Sequence, residues 1–344
     1  MIVSSFIYDT RLHMCIIPGA HVVECRRHPH KDDDYMLFVF GDAFVDAGNR
    51  PPTTQSTSRS RSWFYPYGIS DSTHHMNATG RFSDGLVQSD YVARMLGYDE
   101  SPPAYRLRES DEVDPSGVNF AMSGSGVAPS SATDSPSLSR QIDQFRMLVR
   151  HGIIDDDDLD DSVALISISG NHDYSGINMA ASDDHITSMA QDVTEKIADG
   201  VKRLLDLGVS KVLVNSAPPI GCQPYNTRLN NYAQCDSQIN RVTSIHNAAL
   251  KKRLDGLEDV LLLDLDSAFT DIVQSKGYAP CCDTASRSQG YCGQEDAQGR
   301  AMYSLCPNPQ DYFYWDNVYP TQAGWEAVMN RLQGPIMDFL GIVY

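Results

Sequence analysis

Four short, mainly apolar runs recur along the chain, at 36–40, 163–169, 211–215 and 260–265. Runs without polar alternation are typical of strands that are buried on both faces of a parallel sheet. The first run ends in Gly41-Asp42, which suits a strand that delivers a loop at its carboxyl end. The pattern therefore predicts at least four buried strands.

Helical periodicity lies between these runs. Apolar residues recur at helical spacing over 186–207 and again over 239–254, where three basic residues occupy the last turn. Alternating strands and helices predict a parallel sheet with helices on both faces. Ligands of such sheets bind beyond the carboxyl ends of the strands, which makes Asp42-Ala43, Gly170-Asn171 and Ala217-Pro218 candidates for function.

Composition supports a globular chain and argues against two kinds of partner. Of 344 residues, 41% are hydrophobic and 21% are charged, which is ordinary for a chain with a full core. The 27 Lys and Arg against 45 Asp and Glu give a net charge of −18, which repels nucleic acids and anionic membranes. No stretch approaches the roughly 20 apolar residues of a membrane span, so we expect no integral membrane segment.

We expect one large domain over 35–344, since no linker divides it. Residues 1–34 hold a short apolar run broken by Pro18 and Gly19, a poor signal peptide, and then a charged, His-rich stretch. This composition predicts a solvated, disordered arm. The acidic run at 155–161 lacks the glycine and terminal glutamate of a calcium loop and predicts a solvated face. The Ser- and Arg-rich stretch 55–62 predicts an exposed loop.

Six of the eight cysteines lie between 222 and 306, which favours disulfides and an oxidising compartment over free thiols. The spacings lack the C-x₂-C pairs that zinc prefers, so no metal site is predicted. Cys222–Cys235 is the best local candidate for a disulfide because it would close a short loop. Asn77-Ala78-Thr79 is a glycosylation sequon, and it agrees with secretion.

Four stretches carry candidate chemistry in a fixed order: 40–49, 119–126, 169–174 and 315–321. Shorter matches lie at 67–69, 80–85, 216–222 and 320–325. Each is weak on its own, but the ordered set resembles the plant GDSL esterase/lipase family of the SGNH hydrolase superfamily. The resemblance implies a three-layer α/β/α sandwich with a central parallel sheet, of the SGNH-hydrolase or flavodoxin-like kind. It also implies hydrolysis of a carboxylic ester, from an acyl lipid or an acetylated glycan, without a metal or cofactor.

The resemblance assigns roles residue by residue. The family's nucleophilic serine corresponds to Ala43, its general-base histidine to Tyr319, and the carboxylate that orients the histidine to Asp316. Gly124 and Asn171 match its oxyanion donors. An extra residue follows Asn171, and alignment from the other side puts His172 in that role. We favour Asn171, because the preceding strand fixes the register.

Both ends of the proton-transfer chain are thus replaced. Alanine has no hydroxyl that could attack an ester, and tyrosine has an ordinary pKa near 10, which makes it a poor base at neutral pH. The sequence predicts a hydrolase of this family with impaired catalysis. A non-catalytic protein that binds an acyl or glycan ligand is the alternative. Asp42 and His172 are candidate auxiliary groups.

Overall fold

The computed structural model describes residues 35–108, 112–129, 134–177, 182–284 and 290–342, so the predicted arm at 1–34 lies outside the described residues. The strands are β1 (Met36–Gly41), β2 (Gly117–Asn119), β3 (Ser162–Ser167), β4 (Lys211–Asn215), β5 (Val260–Leu263), β6 (Cys282–Thr284) and β7 (Tyr303–Leu305). The α-helices are α1 (Gln88–Met95), α2 (Leu138–Arg150), α3 (Asp156–Asp160), α4 (Asp183–Asp206), α5 (Pro224–Thr227), α6 (Ser237–Leu254), α7 (Leu265–Lys276) and α8 (Gln322–Leu340).

The central sheet is parallel throughout and has the strand order β2-β1-β3-β4-β5. All five carboxyl ends therefore meet at one edge. The four predicted strands are confirmed, but β3 and β5 each end two residues earlier than predicted. Ser169 bonds to a loop rather than to the ladder, and Asp264 caps α7 by accepting from the Ser267 amide at 3.0 Å.

The apolar runs are continuous because both faces of the sheet are covered. Phe38 and Phe40 of β1 pack on the side of α2, α4 and α6, where Phe40 stacks on Phe120 with ring centroids 5.1 Å apart. Leu37 and Val39 point to the opposite side, towards α1, α7 and α8. The predicted three-layer α/β/α sandwich is confirmed, and its two apolar cores hold the sheet rigid beneath the loops at its carboxyl edge.

The two predicted amphipathic helices correspond to α4 and α6. Each begins at a side-chain cap: Ser182 accepts from the His185 amide, and Asp236 accepts from the amides at 238 and 239. The acidic run forms the short helix α3, capped by Asp155. Most of its acidic side chains are exposed, as the solvated-face prediction requires.

A two-stranded antiparallel hairpin, β6–β7, lies outside the central sheet and carries two disulfides, Cys281–Cys306 and Cys282–Cys292. The predicted Cys222–Cys235 disulfide is also present. The amides of Cys281 and Cys282 donate to the carbonyls of Tyr314 and Trp315 at 2.9 and 2.7 Å. The cross-linked hairpin is thereby bonded to the segment that leads into Asp316.

Candidate active site

The loop after β1 begins where two strands approach very closely. Gly41 has φ +143°, and a Cβ built there would lie 2.0 Å from the Ser167 carbonyl oxygen of β3. Only glycine fits this position without moving a strand. The close approach places Asp42 and Ala43 directly over the carboxyl end of β3.

Asp42 links the loop after β1 to the loop after β3 through hydrogen bonds. Its Oδ2 accepts from the Ser169 amide at 2.8 Å and from the Ser169 hydroxyl at 2.6 Å, and its Oδ1 accepts from the Phe44 amide at 3.1 Å. Among the described side chains, none is a cation paired with Asp42. Burial accordingly raises the pKa of Asp42 to about 6, against the opposing effect of these hydrogen bonds.

Ala43 occupies the position expected for a nucleophile, but it presents only a methyl group. The residue is 2% exposed and belongs to an apolar cluster that includes Tyr67, Phe82 and Trp315, together with the hairpin cysteines. Within the described ranges, the Ala43 amide N–H has no hydrogen-bond acceptor. Position 43, which the sequence predicts to match a nucleophile, therefore offers a backbone N–H donor but no hydroxyl.

The second loop, after β2, brings Gly124 to the same edge. The amide of Met122 donates to the Gly41 carbonyl at 3.1 Å, and the amide of Ser123 donates to Asp46 Oδ2 at 2.8 Å. Gly124 has φ +85°, which suits glycine at this turn. Its N–H likewise finds no acceptor in the described part of the chain.

Asn171 lies in the third loop and is linked to Asp42 through one hydroxyl. Its Nδ2 donates to Ser169 Oγ at 3.0 Å, and Ser169 Oγ donates to Asp42. The His172 ring packs against Gly126, and its backbone carbonyl accepts from Ser175. In the described structure, His172 forms no hydrogen bond with Ala43 or Asp316. We call Asp42, Ala43, Gly124 and Asn171 the oxyanion half of the site, after the roles that the sequence predicts at this edge.

Asp316 lies in the loop before α8, and its carboxylate is fully engaged. Oδ1 accepts from the amides of Val318 and Tyr319, both at 2.9 Å. Oδ2 accepts from the Tyr67 hydroxyl at 2.7 Å and from Arg61 Nη2 at 2.9 Å. The carboxylate that the sequence predicts to orient a general base is here half of a buried ion pair. We call Asp316, Tyr319, Arg61 and Tyr67 the acid–base half.

Tyr319 is held by aromatic and cationic neighbours. Its ring centroid lies 4.9 Å from that of Phe82 and 6.0 Å from that of Phe44, and the Arg61 guanidinium carbon lies 5.6 Å from it. Burial raises the pKa of Tyr319 above its ordinary value, although Arg61 opposes the shift. The phenol therefore stays protonated at neutral pH and cannot serve as a base.

The sequence did not identify Arg61, Tyr67 and Ser169 as site residues. The exposed-loop prediction for 55–62 was wrong at its end, because Ser60 and Ser62 are buried and the Arg61 side chain is only 14% exposed. An arginine in a polar stretch gives no signal of burial, because its partner lies 255 residues away.

Comparison with known proteins identifies the family. Residues 37–332 match the family model of the GDSL-like lipase/acylhydrolases. The chain belongs to this family. It is 33% identical to GDSL esterase/lipase At3g09930 of Arabidopsis thaliana over 86% of each chain. It is 34% identical to GDSL esterase/lipase At2g36325 of the same plant, over 86% of this chain and 85% of that one.

Among solved structures, a family two carbohydrate esterase from Clostridium thermocellum in complex with cellohexaose aligns with 91% of this chain and 67% of its own. The identity is 13% and the TM-score is 0.43. Among the described residues of this GDSL chain, no helix is long and apolar enough to span a membrane, and no cluster of three or more His, Cys, Asp or Glu side chains could hold a metal ion.

Proposed function

We propose that this GDSL-family chain is an ester hydrolase whose turnover is strongly impaired by Ala43 and Tyr319. One observation carries the proposal. Among the described residues, no histidine ring is hydrogen-bonded to Asp316, whose acceptor oxygens are taken by Arg61, Tyr67 and backbone amides. With no hydroxyl at position 43 either, neither proton-transfer partner of a serine hydrolase is supplied.

The size of the expected defect follows from other serine hydrolases. Removing the nucleophile or the base costs about 10⁶ in turnover, and removing both costs little more because they act as a unit. Substrate binding and the oxyanion donors still leave a rate roughly 10³- to 10⁴-fold above that of the uncatalysed reaction. We therefore expect slow residual hydrolysis, far below that of an active relative.

A second candidate is a protein that binds an ester ligand without cleaving it. The unoccupied N–H groups of Ala43 and Gly124 favour this function, because such donors can hold an ester carbonyl without a nucleophile. An acyl lipid or an acetylated glycan fits the proposed chemistry. Three disulfides are typical of proteins that fold in oxidising compartments, so secretion is part of the proposal.

The test compares the natural chain with the double variant Ala43→Ser, Tyr319→His in hydrolysis of p-nitrophenyl butyrate, after both are shown to fold by circular dichroism. We expect the double variant to be at least about 10²-fold faster, since it regains a nucleophile and a base. Only the double variant should be labelled by a fluorophosphonate. A natural chain as fast as the double variant, with a kcat of about 1 s⁻¹ or more, would contradict the proposal.

Calorimetry with an acetylated xylo-oligosaccharide and with butyrate monoglyceride separates the two candidates. Saturable binding by the natural chain without release of acetate or butyrate supports a binding role. Release of acid by the natural chain, at a rate within tenfold of the double variant, would reject it. The variant Asp259→Asn changes an exposed carboxylate remote in sequence from both halves and should behave as the natural chain does.

A further inference from the structure

Arg61 is anchored on several sides at the position where the family's acid and base would meet. Its Nη2 donates to Asp316 at 2.9 Å, its Nε donates to the Tyr67 hydroxyl at 2.6 Å, and its Nη1 donates to the Ser58 carbonyl. The guanidinium also lies 4.9 Å from the ring centroid of Phe82 and 5.6 Å from that of Tyr319. Such contacts fix both the position and the charge of the group.

These contacts exhaust the acceptor capacity of Asp316. An ionised carboxylate offers about four lone-pair sites. Two are filled by the amides of Val318 and Tyr319, and two more by Tyr67 and Arg61 Nη2. The Nε of Arg61 adds a longer contact at 3.3 Å. An imidazole at position 319 could bond to this carboxylate only by displacing one of these donors.

The charge of Arg61 opposes the chemistry of such an imidazole as well. During ester cleavage, a hydroxyl at position 43 would bond to the acyl carbon while its proton passed to the imidazole, and the same proton would then leave with the alcohol. The imidazole is positively charged in between. The Arg61 guanidinium carbon lies 5.6 Å from the centroid of the present ring at 319, and a like charge at that distance would by itself disfavour the charged form by up to about 10²-fold.

We propose that Arg61 is a third disabling residue, which occupies and neutralises the triad acid so that restoring serine and histidine does not restore full activity. The inference rests on the proposed function, because it concerns the same site. It makes Arg61 a positioning residue of the acid–base half, since it acts on position 319 through Asp316 and through its charge.

Other charged groups also face position 319, and they are the same in every variant of the test. Asp42, Asp46 and Asp316 bring negative charge near it, and Arg50 and Arg61 bring positive charge. Among the charged side chains that the structure describes, only Arg61 is both within hydrogen-bond distance of Asp316 and stacked on the ring at 319. A change of Arg61 alone therefore isolates the proposed effect.

The experiment adds Arg61→Leu to the double variant Ala43→Ser, Tyr319→His and measures kcat/KM for p-nitrophenyl butyrate between pH 5 and 9. We expect the triple variant to be at least about 10-fold faster at pH 7 than the double variant. The apparent pKa of the base should rise by about 1 to 2, because a like charge has been removed. A merely structural role of Arg61 would not move this pKa.

Two matched changes make the result specific. Arg61→Lys in the same background keeps the positive charge, so the apparent pKa of the base should stay low. Arg253→Leu removes an exposed arginine of α6 and should change neither rate nor pKa. If the Arg61→Leu protein does not fold, Arg61→Gln replaces it, since glutamine keeps a donor near Asp316 without the charge.

The outcomes separate this inference from the proposed function. A folded triple variant with the rate and apparent pKa of the double variant overturns the role of Arg61, while the proposed function stands. A natural chain with a kcat of about 1 s⁻¹ or more overturns the proposed function instead, whatever Arg61 does.

Discussion

Each half of the site contains one buried carboxylate, but the two carboxylates have different partners. In the oxyanion half, Asp42 is bound by neutral donors of Ser169 and Phe44. In the acid–base half, Asp316 is paired with the guanidinium of Arg61 and bonded to Tyr67. The carboxylate of the oxyanion half therefore has only neutral hydrogen-bond donors among the described groups, whereas the carboxylate of the acid–base half is ion-paired.

This difference follows from where each half lies in the fold. The oxyanion half rests on the sheet itself, since its three loops continue β1, β2 and β3 and bond to one another. A change there would disturb the fold. In the acid–base half, Asp316 and Tyr319 lie in the loop before α8, which, among the described residues, is hydrogen-bonded to the disulfide-linked β6–β7 segment rather than to the central sheet.

The largest expected effect comes from breaking the ion pair in the natural chain. Asp316→Asn leaves the Arg61 guanidinium largely buried without its counter-charge, and we expect a loss of about 3 kcal/mol in the free energy of unfolding. Urea denaturation at pH 7 measures it. Asp259→Asn breaks an ion pair whose carboxylate is 56% exposed, and it should cost about 0 to 1 kcal/mol. Equal costs would mean that the acid–base half is not held by its ion pair.

The sequence predicted the sheet and the motif residues of both halves. It did not predict the side-chain contacts that hold either carboxylate. Apolar runs and helical periodicity predicted the sheet, because burial on both faces leaves a pattern along the chain. Ordered motifs predicted Asp42, Ala43, Gly124 and Asn171 at one edge. The Asp42–Ser169 and Arg61–Asp316 contacts join residues 127 and 255 positions apart, and no local pattern records such pairs.

A smaller expected effect concerns Asp42, whose raised pKa should make the free energy of unfolding depend on pH. Its folded pKa of about 6 lies above its unfolded value near 3.9, so between these values the folded state holds a proton that the unfolded state has released. The contribution of Asp42 to the free energy of unfolding is greatest below pH 3.9. It decreases as the pH rises to 6 and is constant above that. The difference amounts to about 3 kcal/mol or less.

Asp42→Asn removes this dependence, so we expect the variant to gain up to about 3 kcal/mol relative to the natural chain between pH 4 and pH 7. Urea denaturation at several pH values measures the difference between the two proteins. The raised pKa values of Asp46, Asp84 and Asp173 are common to both and cancel. A constant difference across this range would show that Asp42 is compensated much as Asp316 is, and would remove the contrast.

The smallest effect tests whether the acid–base half is held by local contacts. Thr321 Oγ1 accepts from the Gly324 amide at 2.8 Å, which caps α8, and donates to the Tyr312 carbonyl at 2.8 Å. Thr321→Ala should cost about 1 to 2 kcal/mol, because it removes the cap and leaves a carbonyl without its donor. Ser182→Ala, at the exposed cap of α4, is the matched control and should cost about 0.5 to 1 kcal/mol.

Amide hydrogen exchange distinguishes a local loosening from a global loss of stability. If the acid–base half is held by its own contacts, Thr321→Ala should speed exchange of the Val318 and Tyr319 amides, which donate to Asp316. Exchange of the Phe44 and Ser169 amides, which donate to Asp42, should change only by the global loss. Equal acceleration at all four amides would mean that the two halves open together, and that one cooperative unit carries both carboxylates.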